Sequence, residues 1–219
     1  YGCPRDTSPR LDALLADGVR FTRARTIEPL TSPAMCSMVT GLEPQIHGSS
    51  RNGLRMQSGL DSLPWRMAAA GWDTAGFVSN WTLRHELSNL GEHFDHYAGV
   101  FTRKRWFGLL NSEATAEDVT DHVLDWLEGH EAERPGHPFL IWVHYVEPHA
   151  PYRLHKEFTE RLGIVSNITK RDRYDTEVAA VDAEVGRLLE GVRRHRRGDQ
   201  LLVVFSADPP ADLYDQFAD

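Results

Sequence analysis

The sequence predicts an α/β protein with a mainly parallel (mixed) sheet sandwiched by helices. Short apolar stretches with the composition of buried strands alternate along the chain with amphipathic helical stretches. This alternation produces parallel strands that are joined by helical crossovers. A chain of 219 residues is long enough for one such unit, and it contains no internal repeat or low-complexity linker. Residues 1–219 are therefore predicted to form a single domain.

The first forty residues predict a helix, a short strand and a second helix. After a turn cluster at 4–9, leucines recur on one helical face, and residues 21–27 alternate in the manner of a strand. Pro33 suits the first turn of a helix, so a helix is predicted over 34–41. Thr31 and Ser32 then lie at its N-terminus.

The next segment predicts a helix ending before Gly71 and an apolar strand over 74–79. Asn80 directly follows this strand. Ligands collect beyond the carboxyl ends of strands in doubly wound sheets, although a turn residue is an equally ordinary use of Asn here. Residues 83–112 show little periodicity and are predicted to form a long surface excursion.

The second half predicts two long helices and two strands. Residues 115–130 form an amphipathic helix that starts with a capping box, and a second such helix covers 174–193. The apolar run within 138–145 is typical of a buried central strand. Another buried strand is predicted over 201–205, with Asp208 just beyond its end.

Composition excludes several classes of function. The formal net charge of −8 argues against a general nucleic-acid binder, because phosphate backbones are held by basic surface. No apolar run approaches the length of a membrane span. Two cysteines do not indicate a disulfide framework, and the sequence leaves the compartment and the oligomeric state open.

Two places in the sequence carry residue types suited to chemistry. A hydroxyl at a helix N-terminus, as at Thr31 or Ser32, meets the positive end of the helix dipole and suits sulfate or phosphate esters. The commoner use of such residues is as a helix N-cap. His144 and His149 flank Glu147 after a buried strand, and imidazole serves as acid, base or ligand near neutral pH.

Several segments, in chain order, resemble the amino-terminal part of the sulfatase family within the alkaline-phosphatase superfamily. They cover nearly the whole chain, and their order is more specific than any one of them. The segments are Tyr1-Gly2-Cys3-Pro4-Arg5-Asp6-Thr7-Ser8-Pro9, Thr31-Ser32-Pro33 through Glu43-Pro44, Ala70-Gly71 through Ser79-Asn80, His144 to Tyr152, and Tyr174 to Leu189.

The resemblance implies a metal-dependent hydrolase of sulfate esters and a role for each candidate residue. Thr31 stands at the family's nucleophile position and would also contact the metal, while His149 would protonate the leaving oxygen. Asn80 and His144 are expected to bind substrate, and Asp208 to ligate a divalent metal. Calcium is preferred for that metal over zinc, manganese or magnesium. The expected substrate is a small-molecule or glycan sulfate or phosphate ester.

Departures from the family pattern keep two alternatives open. Thr31 replaces the Cys or Ser that becomes formylglycine in well-studied sulfatases, and Met35 replaces an arginine. This favours, as one alternative, a phosphodiester or phosphonate hydrolase or a phosphoethanolamine-type transferase of the same superfamily. The acidic motif expected before Tyr1 is absent and Pro209 follows Asp208, so weak metal binding is expected. The other alternative is a non-catalytic fragment without the first strand and the C-terminal part.

Overall fold

The structure, a computed structural model, describes residues 3–105, 110–195 and 201–207. The helices are α1 (Pro9–Ala16), α2 (Thr31–Thr40), α3 (Pro44–His47), α4 (Leu63–Ala69), α5 (His85–Ser88), α6 (Ala116–Glu133) and α7 (Lys170–His195). The strands are β1 (Asp73–Val78), β2 (His96–Gly99), β3 (Arg103–Arg105), β4 (Leu110–Glu113) and β5 (Phe139–His144). Short 3₁₀ turns cover Trp81–Leu83, Leu90–His93 and Lys156–Phe158.

The main sheet contains three strands in the order β2-β1-β5, and both pairings are parallel. Strands β3 and β4 form a separate antiparallel pair. The α/β prediction with a mainly parallel sheet is confirmed. Because β1 and β5 pair from Asp73 with Phe139 to Val78 with His144, their carboxyl ends lie side by side.

Helices cover both faces of this sheet. Side chains alternate along β1, so Val78 packs in one apolar cluster with Met35 of α2, while Phe77 packs in the other with Val119 and Val123 of α6. Helix α7 packs against α6 and α1. No helix among the described residues is long and apolar enough to cross a bilayer.

Helix α6 begins as the sequence predicts. The Thr115 side chain accepts a hydrogen bond from the backbone N–H of Asp118, and the Asp118 carboxylate accepts one from the Thr115 N–H. The two bonds satisfy donors that the first helical turn would otherwise leave open. Helices α2, α6 and α7 confirm the helical predictions over 34–41, 115–130 and 174–193, with ends that differ by a few residues.

Three strand predictions are wrong in part or entirely. Residues 21–27 form no strand, and Phe21 is 80% exposed. Residues 201–205 are likewise not in a strand, and Leu202 is 88% exposed. Neither stretch pairs with a strand within the described residues, and alternating apolar residues form a strand only where a partner ladder exists. The run within 138–145 does form a strand, β5, but the expectation that it is buried and central is wrong. Strand β5 is half-buried along its length, and the central strand of the three is β1.

The expected surface excursion over 83–112 is also corrected, because this stretch supplies β2. Ala75 pairs with His96 and Val78 with Gly99, so β2 extends the central sheet. The sequence shows no strand periodicity here because β2 is only four residues long and its side chains are half-exposed or exposed. Parallel pairing with β1 determines its conformation.

Candidate active site

Thr31 is the first residue of α2 and is half-buried. The N-cap residue is Leu30, which makes no side-chain capping bond, so the interpretation of Thr31 or Ser32 as an N-cap is wrong. Ser32 is fully buried, and its hydroxyl donates to the backbone oxygen of Thr82 at 3.1 Å. Of the two adjacent hydroxyls, Thr31 is the one that a substrate can reach.

The backbone donors at the start of α2 are largely used within the protein. The N–H of Ser32 donates to the side-chain oxygen of Asn52 at 2.9 Å, and Ala34 donates to the carbonyl of Leu30 at 3.0 Å. Pro33 has no N–H to offer. An anion at this helix end would therefore meet the helix dipole and the Thr31 hydroxyl more than a ring of unpaired N–H groups.

Asn80 lies at the carboxyl end of β1, where its side chain caps the short turn that follows. Its Oδ1 atom accepts from the N–H of Thr82 at 3.0 Å and from the Thr82 hydroxyl at 2.9 Å. Thr82 also receives the Ser32 bond, so hydrogen bonds connect the start of α2 to the end of β1. These bonds use the oxygen of Asn80 and do not involve its amide nitrogen.

His144 ends β5 and lies opposite Val78 across the parallel ladder. Its Nδ1 atom is buried and has no hydrogen-bond partner in the described part of the chain. Burial lowers the pKa of His144 to about 4, and the nearby charge of His149 acts in the same direction. The ring is therefore neutral near pH 7, where it can donate or accept a hydrogen bond but cannot bind an anion as a cation.

Ser79 joins the two strand ends. Its N–H and its hydroxyl both donate to the carbonyl of His144, at 3.2 and 3.1 Å, and its oxygen accepts from the N–H of Val146 at 2.9 Å. Ser79 is fully buried. It fixes the segment that leads from β5 to His149 against the end of β1, next to Asn80.

His149 is exposed and lies beside Glu113. Its Nδ1 atom is 3.9 Å from the Oε1 atom of Glu113 and 2.9 Å from the carbonyl oxygen of Ala150. Glu113 also forms an isolated antiparallel bridge with Asn80. The structure thus brings Asn80 and His149 together around Glu113, a residue that sequence reasoning missed because it lies in the aperiodic stretch before α6.

The predicted metal ligand Asp208 lies outside the described residues. Of the two predicted ligands, the structure therefore places only Thr31. Within the described ranges, the single group of three side chains able to hold an ion consists of Glu147, His155 and Glu177. The described residues do not fit a metal site at the start of α2 by themselves, and we assign no chemical step to a metal there.

Buried groups elsewhere on α2 are structural. The hydroxyl of Ser37 and Nε2 of His47 lie 2.9 Å apart, but His47 is fully buried, and its Nδ1 accepts from the N–H of Ser49. Burial raises the pKa of the Cys36 thiol to about 11, which keeps it protonated and a poor nucleophile. Neither group competes with Thr31 for the role of nucleophile.

Comparisons with known proteins place these elements in one family. A family model described as Sulfatase matches residues 1–216. The uncharacterized sulfatase YidJ of Escherichia coli is 27% identical over 73% of this chain and 37% of its own length. Human N-acetylgalactosamine-6-sulfatase is 24% identical over 97% of this chain and 47% of its own. The chain thus spans less than half the length of these two relatives.

A crystal structure of Ps i-CgsB in complex with k-i-k-neocarrahexaose has a similar fold. Its TM-score is 0.68 at 20% sequence identity, and the match covers 86% of this chain and 50% of that one. At this identity the likeness establishes the fold.

Proposed function

Because this chain belongs to the sulfatase family, we propose that it acts as a hydrolase of sulfate esters, with Thr31 as nucleophile and His149 as proton donor. One observation carries the proposal. Thr31 has the accessible hydroxyl, and the adjacent Ser32 is hydrogen-bonded to Thr82, which is hydrogen-bonded to Asn80. Asn80 is in turn bridged to Glu113, which lies beside His149. Nucleophile and acid thus belong to one connected set of contacts.

The proposed chemistry follows from these positions. The Oγ1 atom of Thr31 gives its proton to solvent water and forms a bond to the ester sulfur, while the bond from sulfur to the alcohol oxygen breaks. His149 gives that oxygen a proton and becomes neutral. A water molecule then attacks the sulfur and gives a proton to His149, the bond from sulfur to Thr31 breaks, and the Thr31 oxygen takes a proton from solvent as sulfate leaves. The family resemblance implies a divalent metal, but the described residues beside Thr31 do not form its site, so each step is assigned to the side chains alone. Asn80 and neutral His144 are proposed to hydrogen-bond the substrate.

We propose a sugar sulfate as the substrate class. The support is that one relative is named for a sulfated amino sugar and that one structure with this fold holds an oligosaccharide. A phosphodiester or phosphonate is the second candidate, because Thr31 stands where formylglycine-forming sulfatases have Cys or Ser. Rates on 4-nitrophenyl sulfate, phosphate and phenylphosphonate, measured in parallel with added calcium, zinc, manganese or magnesium, would separate the two candidates.

The nucleophile is tested by Thr31→Ala with Thr40→Ala as a matched control. Both residues lie on α2, but among the described residues the Thr40 hydroxyl bonds only to near neighbours, donating to the carbonyl of Cys36 and accepting from the N–H of Leu42. We expect Thr31→Ala to lose turnover by about 10³-fold or more and to keep its far-UV circular dichroism. Unchanged turnover in Thr31→Ala would refute the assignment.

The acid is tested by His149→Ala on two leaving groups. An alkyl alcohol needs a proton to leave, whereas 4-nitrophenolate leaves without one, so the variant should lose far more activity on alkyl esters than on 4-nitrophenyl esters. His122→Ala, at an exposed histidine of α6, is the control. Equal losses on both esters would contradict the proton-donor role.

A further inference from the structure

Three side chains meet next to the segment that carries His149, two of them from that segment and its continuation and one from α7. Glu147 follows β5, His155 precedes the 3₁₀ turn at Lys156–Phe158, and Glu177 lies on α7. One potential ligand atom from each lies within 4.8 Å of the other two. Glu147 is 6% exposed and Glu177 is 1% exposed, so two carboxyl groups share a buried space.

Backbone groups hold all three residues in place. Glu147 Oε2 accepts from the N–H of Ala116 at 2.8 Å, and Glu177 Oε1 accepts from the N–H of Arg153 at 2.7 Å. The backbone N–H of His155 donates to the hydroxyl of Thr176 at 3.1 Å. Each carboxylate thus has one oxygen fixed by the backbone, which orients the second oxygen.

The imidazole of His155 supplies an independent observation. Its Nδ1 lies 3.4 Å from Oε1 of Glu157, whose side chain is 62% exposed. Its Nε2 is buried and makes no hydrogen bond to any described residue. A carboxylate at Nδ1 holds the ring proton there and leaves the Nε2 lone pair for a ligand, which is the usual arrangement of a metal-binding histidine.

We propose that Glu147, His155 and Glu177 form a binding site for a divalent transition-metal cation, for which Zn²⁺ is the best fit. Two carboxylate oxygens and one imidazole nitrogen form a donor set typical of zinc, whereas calcium and magnesium favour sites made of oxygen alone. A doubly charged ion also balances two buried carboxylates.

This site is distinct from the metal position implied beside Thr31, and its role is structural. Ligands of a tetrahedral zinc ion lie about 3.4 Å apart, so binding draws the three side chains closer than 4.8 Å. That contraction fixes the segment between Glu147 and His155, which carries His149, onto α7. The site goes beyond the proposed hydrolysis, and its test does not depend on activity.

The test is calorimetric titration of ZnCl₂ into chelator-treated protein, followed by thermal unfolding with and without the ion. The parent protein and two control variants, His122→Ala and Thr31→Ala, should bind one equivalent of zinc at this site. The variants His155→Ala and Glu177→Gln should each lose that equivalent. Zinc at about 100-fold above its Kd should raise the Tm of the parent by about 5 °C. Glu157→Gln should weaken binding by about 10-fold while keeping the stoichiometry.

Cobalt substitution gives a second readout in the same proteins. Bound Co²⁺ should show visible absorption bands in the parent that are absent in His155→Ala. The His155 side chain is partly exposed, so this variant should still fold. The proposal is overturned if the parent shows no saturable zinc binding, or if His155→Ala binds as many equivalents as the parent.

Discussion

Replacing Ser79 with alanine tests how the two strand ends hold the candidate site. The hydroxyl of Ser79 accepts from the buried N–H of Val146 and donates to the carbonyl of His144. In Ser79→Ala that carbonyl keeps its bond from the Ser79 N–H, but the Val146 N–H, in a residue only 8% exposed, loses its acceptor. An unsatisfied buried donor costs about 1–3 kcal/mol and a lost bond about 1 kcal/mol. We expect the free energy of unfolding to fall by about 2–4 kcal/mol.

The assay is urea denaturation followed by circular dichroism, with linear extrapolation and an unchanged m-value. Ser50→Ala, at an exposed serine, is the control and should change stability by less than about 0.5 kcal/mol. Because the lost bond releases the segment that leads to His149, turnover in Ser79→Ala should fall more than its folded fraction does. A stability within about 0.5 kcal/mol of the parent would refute the reasoning.

Three further predictions concern stability. Asp182 lies on α7, is 1% exposed, and accepts hydrogen bonds from two N–H groups at the start of α1, at 3.0 and 2.9 Å. Asp182→Ala should lower the free energy of unfolding, measured by urea denaturation, by about 3–5 kcal/mol. A decrease below about 1 kcal/mol would contradict this. Burial lowers the pKa of His144 from its ordinary value of 6.5 to about 4 in the folded protein, so the unfolded state takes up the proton first as pH falls. Stability should therefore drop by roughly 3 kcal/mol between pH 6.5 and 4, and His144→Gln, measured at both pH values, should lack that share of the drop. Thr115→Ala breaks the capping box with Asp118 and should lower the Tm of thermal unfolding through a loss of about 1 kcal/mol, whereas an unchanged Tm would show the box to be dispensable.

The site could be predicted only in part from the sequence. Pro33 was enough to place Thr31 at a helix start, but the choice between Thr31 and Ser32 depends on Thr82, whose carbonyl takes the Ser32 hydroxyl. His149 and Asn80 were recognisable at the ends of two apolar strands. Their shared neighbour Glu113 was not, because its segment shows no periodicity. The roles of Thr31, His149, Asn80, His144 and Asp208 stay predictions.

The group of Glu147, His155 and Glu177 shows the same limit. Glu147 lies within a recognisable segment, but Glu177 lies thirty positions further along, on the polar pattern of an amphipathic helix. Nothing in that pattern distinguishes a buried glutamate from a solvated one. Its 1% exposure follows from the packing of α7 against the segment after β5.

The sequence by itself determined the elements whose signals are local. Helices α2, α6 and α7 and strands β1 and β5 follow from periodicity, caps and proline positions, because those features act within a few residues of one another. Tertiary structure alone decided that 96–99 is a strand and that 21–27 and 201–205 are not. A strand is completed by hydrogen bonds to a partner that is distant in sequence, and the burial of a polar side chain is likewise set by what packs over it.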